Sequence, residues 1–180
     1  MSVSDKIEGG WNGIAFRKGV RDMKIGDLMN KDLVALRTTD TIAAAIDHIL
    51  KHCRTGLAVV DEENRVVGFV SEEDIIRKVL PGYVTMLKSS AFLPDCGQFA
   101  QRFAAKKNTS VTEIMQREVF CANENDSDFN IATEMIRRHF KLCPVVDDDG
   151  KFLGYISRAY LIRGMILSDA RAERKKINYE

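Results

Sequence analysis

No stretch of this chain approaches the roughly 20 consecutive apolar residues that a membrane-spanning helix needs. Charge of one sign is equally missing. Twenty-seven Lys and Arg stand against 26 Asp and Glu, for a net charge of +1. A duplex nucleic-acid binder requires a concentrated basic surface, and this balance argues against one. The opening Met1-Ser2-Val3-Ser4-Asp5-Lys6 contains no continuous apolar region, so no secretory signal is expected and a cytoplasmic setting is. Cysteine is sparse. Cys53, Cys96, Cys121 and Cys143 form no Cys-x-x-Cys pair, and Cys121 and Cys143 sit in apolar contexts. Free buried thiols are expected rather than disulfides or a metal cluster.

Signatures of catalysis are also absent. The sequence holds no Gly-x-Ser-x-Gly elbow, no phosphate-binding Gly-x-x-x-x-Gly-Lys loop and no Gly-x-Gly-x-x-Gly. His48 and His52 are four apart on one expected helix and could chelate a metal, but no third ligand follows nearby. A solvated helix face is the plainer reading. The run Asp147-Asp148-Asp149-Gly150 suggests calcium until its register is tested. With Gly150 as the sixth loop position, the first and last ligands would be Val145 and Ile156, which have no side-chain oxygen. The run is expected to be a hairpin turn. No catalytic residue, no metal site and no enzymatic activity are expected.

What is present is self-similarity. Sliding the chain by 86 positions lays residues 25–77 on residues 111–163 without a gap. Asp40 falls on Asp126, Val59-Val60-Asp61 on Val145-Val146-Asp147, Gly68 on Gly154 and Ser71 on Ser157. Each copy opens with a short strand, at Leu33–Leu36 and Val119–Ala122. Capping candidates follow at Thr39 to Thr41 and Asn125 to Ser127. Helices come next, with Ile42, Ile46, Ile49, Leu50 and Cys53 as one apolar stripe and Phe129, Ala132, Met135 and Ile136 as the other. Two strands then flank a tight turn, Asp61 to Asn64 in one copy and around Asp149-Gly150 in the other. A last helix starts at Ser71 or Ser157.

The expected fold class is therefore α/β: tandem β-α-β-β-α repeats about a pseudo-twofold axis, with a helical insertion between them. A unit of about 55 residues hides only about 60 % of its surface on folding and is marginal alone. The all-apolar strand Leu57–Val60 also wants cover on both faces. Both features favour two units packed face to face with a cleft between. The expected boundaries are an N-terminal segment 1–22, a first repeat 23–80, an insertion 81–110, a second repeat 111–168 and a tail 169–180. Within the insertion, Tyr83, Met86 and Leu87 fit one short helix. Phe99, Ala100, Phe103 and Ala104 fit another, starting at Pro94-Asp95.

This pattern resembles the CBS-domain pair, the tandem repeat also called a Bateman module. The residues that carry the resemblance are Ile25-Gly26-Asp27-Leu28-Met29 and its counterpart ending in Met115, Leu142-Cys143-Pro144-Val145-Val146-Asp147, and Gly68-Phe69-Val70-Ser71-Glu72-Glu73-Asp74. The resemblance covers residues 20–80 and 110–168. It implies a regulatory module that binds AMP, ADP or ATP, with S-adenosylmethionine less favoured. It also implies a homodimer and an effector protein that is not part of this chain. An interaction scaffold that dimerises and docks a partner without a small ligand is the alternative, and the aromatics Tyr83, Phe92, Phe99 and Phe103 could serve it.

The resemblance also implies site residues. The segment from Gly68 to Asp74 matches the ribose-holding Gly-x-x-Ser/Thr-x-x-Asp, with Val70 on the strand, Ser71 at the helix start and Asp74 accepting from two ribose hydroxyls. The same residues read equally as a capping box with acids at the positive helix end. Adenine is expected near Val34 and Ala35 and near Thr55, Gly56 and Leu57. Phosphate is expected on Lys141, then His139, then Arg158, although cations there would also complement a helix C-terminus. In the second copy Tyr160 stands where the acid should be. One competent site per chain is expected, with the other empty or binding something different by stacking on Tyr160.

Overall fold

The computed structural model describes residues 23–82 and 98–166. The expected segments 1–22 and 169–180, the helix around Tyr83, Met86 and Leu87, and Phe92, Pro94, Asp95 and Cys96 lie outside the described residues.

The first half comprises α1 (Ile25–Leu28), β1 (Leu36–Arg37), α2 (Ile42–Lys51), β2 (Gly56–Val60), β3 (Val66–Ser71) and α3 (Glu72–Val79). A connecting helix α4 (Gln98–Lys106) follows. The second half has a 3-10 turn (Val111–Glu113), β4 (Ala122–Asn123), α5 (Asp128–Arg137), β5 (Leu142–Val146), β6 (Phe152–Ser157) and α6 over residues 158–166. Each half makes a three-stranded sheet, ordered β1-β2-β3 and β4-β5-β6, with the first pair parallel and the second antiparallel. Register obeys the same 86-residue shift. Leu36 pairs with Val59 as Ala122 pairs with Val145, and Gly56 with Ser71 as Leu142 with Ser157.

Local chemistry explains the element ends. Thr41 Oγ1 accepts from the Ala44 N–H to start α2, and Ser127 Oγ accepts from the Asn130 N–H to start α5. Asn64 (φ +63°) and Gly150 (φ +79°) take the left-handed conformation that closes each hairpin. The Asp147 carboxylate accepts from the Asp149 and Lys151 N–H groups, so the acidic run is a turn.

The leading segment of each half crosses to the other half. The Ile25 N–H donates to the Asp126 carbonyl, and the Val111 N–H donates to the Asp40 carbonyl. Asn30 exchanges two backbone hydrogen bonds with Tyr155, and Gln116 exchanges two with Phe69. Met23, Ile25 and Leu28 thus complete the core under the second sheet, while Val111 and Met115 complete the core under the first. Neither half has a full apolar core without the other, which is how two marginal units become stable together. Each of these backbone contacts from i to j recurs as i+86 to j−86. Arg65 and Lys151, equivalent to each other, pair on the pseudo-twofold axis.

Three expectations change. The opening strands begin later and are shorter, at Leu36 and Ala122 rather than at Leu33 and Val119. Leu33 is 62 % exposed and so gains nothing from pairing, and the Asp40 and Asp126 carboxylates accept from the Arg37 and Asn123 N–H groups, which ends each strand there. The helix stripes hold only in part, with Ile46 and Ala132 packed at the edges of the cores. Ile42, Ala45 and Ile49 face the core in α2, and Ile131 and Met135 do so in α5. Leu50, Phe129 and Ile136 are exposed. Helix α4 keeps the expected Phe99–Ala104 segment but buries none of its residues. Only Phe103 leans on the first core, while Phe99 is exposed.

Candidate functional site

Two clefts open between the halves, related by the pseudo-twofold axis. The first, of about 610 Å³, runs beside the start of α3. Its apolar wall is made by Phe69, Phe120, Phe140, Leu142 and Pro144. The Phe120 and Phe140 rings lie 5.4 Å apart, and the Arg138 guanidinium sits 4.9 Å over Phe120. Glu134 accepts from Arg137 and Arg138, and these two guanidinium groups pull its carboxyl down to about 2. His139 adopts φ +59°, turning the chain sharply off α5 so that Lys141 enters the cleft wall. Ser71 and Glu72 form the opposite rim, with Gln116 and Glu118 beside them.

Ser71 and Asp74 form a capping box. The Ser71 N–H and hydroxyl donate to Asp74 Oδ2 at 2.8 and 2.5 Å, and the Asp74 N–H donates to Ser71 Oγ at 3.2 Å. Gln116 Nε2 bridges both carboxylate oxygens at 3.2 and 3.3 Å. Oδ1 thus accepts one long bond, and an ionised carboxylate offers about four acceptor sites. The cap leaves capacity for further donors on that oxygen.

The second cleft, of about 490 Å³, lies beside the start of α6. Tyr155, the equivalent of Phe69, is fully buried and does not line this cleft, although Arg54 in its wall stacks on the ring. Its hydroxyl donates to the Val34 carbonyl at 2.7 Å and accepts from the Ala58 N–H at 2.9 Å. Burial pushes the phenol well above its ordinary range. The other repeat cannot build this network, because Phe69 has no hydroxyl and Pro144, the equivalent of Ala58, has no N–H. The Arg54 guanidinium stacks 4.4 Å from the Tyr155 ring centre and donates to Asp32 at 2.9 Å. That hydrogen bond holds the Asp32 carboxyl below its ordinary value. Tyr160 replaces the acid, and its hydroxyl accepts from Asn30 Nδ2 at 3.1 Å while its ring packs on the second core. Thr55, Lys141 and Leu142 line both clefts.

The family model of the CBS domain matches the chain twice, at residues 25–81 and 111–166. The chain belongs to the CBS-domain family. A 29 % identical relative is an uncharacterized protein of Methanocaldococcus jannaschii, matched over 80 % of this chain and 92 % of its own length. The CBS pair CBSX2 of Arabidopsis thaliana superposes with a TM-score of 0.68 at 19 % identity, covering 83 % of this chain and 99 % of that one. CBSX2 solved in complex with AMP superposes at 0.61, with 20 % identity over 80 % and 96 % of the two chains. The CBS domain pair of protein MJ0100, solved with 5′-methylthioadenosine and S-adenosyl-L-methionine, superposes at 0.60, with 23 % identity over 81 % and 97 %. At these identities the superpositions establish the α/β CBS-pair fold. Among the described residues, no helix is long and apolar enough to cross a membrane.

The two CBS repeats distribute the expected site residues unevenly. Ser71, Thr55, His139 and Lys141 line the first cleft, whereas Asp74 does not line it and meets it only by accepting from Gln116, which does. Arg158 does not join them. It lines the second cleft, because it begins α6 rather than α3. Val34 and Ala35 are likewise not in the wall beside Ser71, and the Val34 carbonyl is taken by Tyr155. The crossing leaders are the reason: the segment that reaches the first cleft is Gln116–Phe120, from the second repeat. Gly56, Leu57 and Val70 are buried within the first sheet and do not line either cleft. The space over Gly68 is taken by the Met115 side chain rather than left for a ligand.

The residues that sequence reading did not place in the site are Phe120, Phe140 and Gln116, while Arg138 was read as a cation complementing the helix C-terminus. Phe120 and Phe140 lie within or beside segments already singled out, and the crossing of the leaders is what carries Gln116 and Phe120 to Ser71. Cys143 is buried and Cys121 half-buried, both unpaired, and burial pushes the Cys121 thiol up to about 11. Cys53 is exposed, contrary to the expected stripe. His48 and His52 stack with ring centres 6.2 Å apart, and His52 Nδ1 lies 3.7 Å from Asp32. No group of three or more metal-ligating side chains occurs among the described residues.

Proposed function

We propose that the chain is a non-catalytic regulatory module that binds AMP, ADP or ATP in the cleft beside Ser71, with one nucleotide per chain. The observation that carries this reading is the gathering, in and beside one cleft, of three chemistries that a nucleotide needs. Phe69, Phe120 and Phe140 offer apolar and aromatic surface for a purine. Asp74 Oδ1 has spare acceptor capacity for ribose hydroxyls. Arg138, His139 and Lys141 supply cationic or hydrogen-bonding groups for phosphate. These groups favour phosphate over the sulfonium cation of S-adenosylmethionine. The AMP complex of CBSX2 supports the adenine assignment at the level of the shared fold.

Asp74→Asn tests the reading. An amide accepts through one oxygen and forfeits charge assistance, and hydrogen bonds to charged groups are worth about 1.5–3 kcal/mol. Nucleotide affinity measured by calorimetry should fall about tenfold or more, since about 1.4 kcal/mol is one decade. Asp61→Asn, in the first hairpin turn, should leave it unchanged. Full retention of affinity by Asp74→Asn would leave Asp74 as a helix cap alone. Two equal sites per chain would refute the asymmetry between the clefts.

Dimerisation belongs to the same proposal. Ile76 on α3 and Ile162, Met165 and Ile166 on α6 are each between 48 and 68 % exposed, and Ile76 and Ile162 are equivalent positions. Apolar side chains concentrated on the last helix of each repeat fit a homodimer, and the same surface would serve a ligand-free scaffold. Light scattering should give a dimer mass at micromolar concentration. Ile162→Glu with Met165→Glu should shift it to the monomer while nucleotide binding is kept. An effector protein in the cytoplasm is the partner this module would regulate.

A further inference from the structure

The leading segment of each repeat carries a side-chain amide to a helix start of the other repeat. Gln116 Nε2 donates to Asp74 Oδ1 and Oδ2 at 3.2 and 3.3 Å, and Asn30 Nδ2 donates to the Tyr160 hydroxyl at 3.1 Å. Gln116 is the 86-residue equivalent of Asn30, and Tyr160 is that of Asp74. Side-chain lengths are matched: the longer amide meets the shorter acid, and the shorter amide meets the longer phenol. Backbone hydrogen bonds to Tyr155 and Phe69 fix Asn30 and Gln116 at these points. The two amides differ at their other ends. Asn30 Oδ1 accepts from the Asp32 N–H at 2.9 Å, so that amide is used on both sides. Gln116 Oε1 has no partner among the described residues. An ionised carboxylate only accepts, so the Gln116 nitrogen faces Asp74 and its carbonyl oxygen is the free end.

Gln116 is exposed and lines the first cleft, whereas Asp74 does not line it. The Asp74 carboxylate is also largely occupied. Oδ2 accepts from the Ser71 N–H, the Ser71 hydroxyl and Gln116, and Oδ1 accepts from Gln116 alone. A carboxylate oxygen offers about two acceptor sites, so Oδ2 is full and Oδ1 takes one more donor. The two hydroxyls of a ribose therefore need a second acceptor beside Oδ1. We propose that Gln116 is a ribose-selecting residue: its Oε1 accepts one ribose hydroxyl while Asp74 Oδ1 accepts the other. The sugar is then read by one oxygen from each repeat. Placing both hydroxyls on Asp74 would require Gln116 to leave. The second repeat lacks this pair, because Tyr160 replaces the acid and Asn30 Oδ1 is taken. This inference rests on the nucleotide reading of the first cleft.

Calorimetry on the full chain tests this with AMP and ATP, each beside its 2′-deoxy and 3′-deoxy counterparts. The variants are Gln116→Met, which keeps the length and loses both polar ends, and Gln116→Asn, which keeps the amide but not its reach. Gln116 is exposed, so both should fold, and if one melts early the other decides. In the wild type, removing either hydroxyl should lower affinity about three- to tenfold, as loss of a neutral hydrogen bond does. In both variants the ribonucleotide should lose a similar factor. That loss should vanish for one deoxy series, the one missing the hydroxyl that Gln116 accepts, and persist for the other. Equal losses for the ribonucleotide and both deoxy series would make Gln116 only a support for Asp74 and overturn the proposal. Unchanged affinity in both variants would overturn it too, while leaving the nucleotide reading intact. If the wild type binds neither AMP nor ATP, the nucleotide reading itself fails and this inference falls with it.

Discussion

The two clefts are built on the same backbone and differ through a few side chains. Phe69 faces Tyr155 across the axis, Pro144 faces Ala58, Asp74 faces Tyr160 and Glu72 faces Arg158. The first two exchanges are matched. Where the strand offers an N–H at Ala58, the facing ring carries a hydroxyl to meet it, at 2.9 Å. Where proline removes the N–H, phenylalanine removes the hydroxyl. The ring of one repeat is therefore tied down in a buried polar network, while its counterpart Phe69 stands free in the apolar wall of the first cleft. A shared fold positions both clefts, and individual side chains decide what each can hold.

The sharpest way to break this comparison uses its two equivalent glycines. Gly154 has φ +143°, and a Cβ there would collide with the Asn30 carbonyl oxygen. That oxygen accepts from the Tyr155 N–H, so the backbone pair that seats the second cleft would have to part. Gly154→Ala should cost about 3 kcal/mol or more from strain and the lost pairing. At Gly68 the added Cβ meets the Met115 side chain, which can move. Gly68→Ala should cost about 1–2 kcal/mol. Denaturant unfolding of both variants measures the difference, and equal losses would mean that the two leaders are seated alike.

A smaller effect is expected at Tyr155 itself. Tyr155→Phe leaves the Ala58 N–H and the Val34 carbonyl buried without their partner and should cost about 1–3 kcal/mol. The variant makes the second repeat chemically like the first at that point. Nucleotide affinity in the first cleft should not change.

The smallest effect concerns Glu134, whose counterpart in the first repeat is His48. Its carboxyl is lowered from an ordinary 4.5 to about 2 by Arg137 and Arg138. A depressed carboxyl stabilises the fold above its unfolded pKa and loses that contribution as pH falls through the folded pKa. Wild-type stability should therefore decline between about pH 4.5 and 2 more steeply than that of Glu134→Gln. The difference should be slight, because exposed ion pairs contribute little. Melting temperatures across that range check it.

The 86-residue repeat, the order of elements, the helix caps at Thr41, Ser71 and Ser127, and the turns at Asn64 and Gly150 follow from sequence alone. They rest on local physics: apolar spacing, side-chain oxygens beside free N–H groups, and residues that tolerate positive φ. The same is true of Tyr160 as the break in the second motif. Tertiary structure alone decided which residues share a cleft. Each repeat lends its leading segment to the other, so Gln116 and Phe120 reach Ser71 while Asn30 and Val34 reach Tyr155. It also decided that Arg158 faces away from Asp74, and that Leu50, Phe129 and Ile136 point outward although their spacing is helical. Spacing tells which residues share a face of one element. It does not tell which other element covers that face, because burial depends on contacts between residues far apart in the chain.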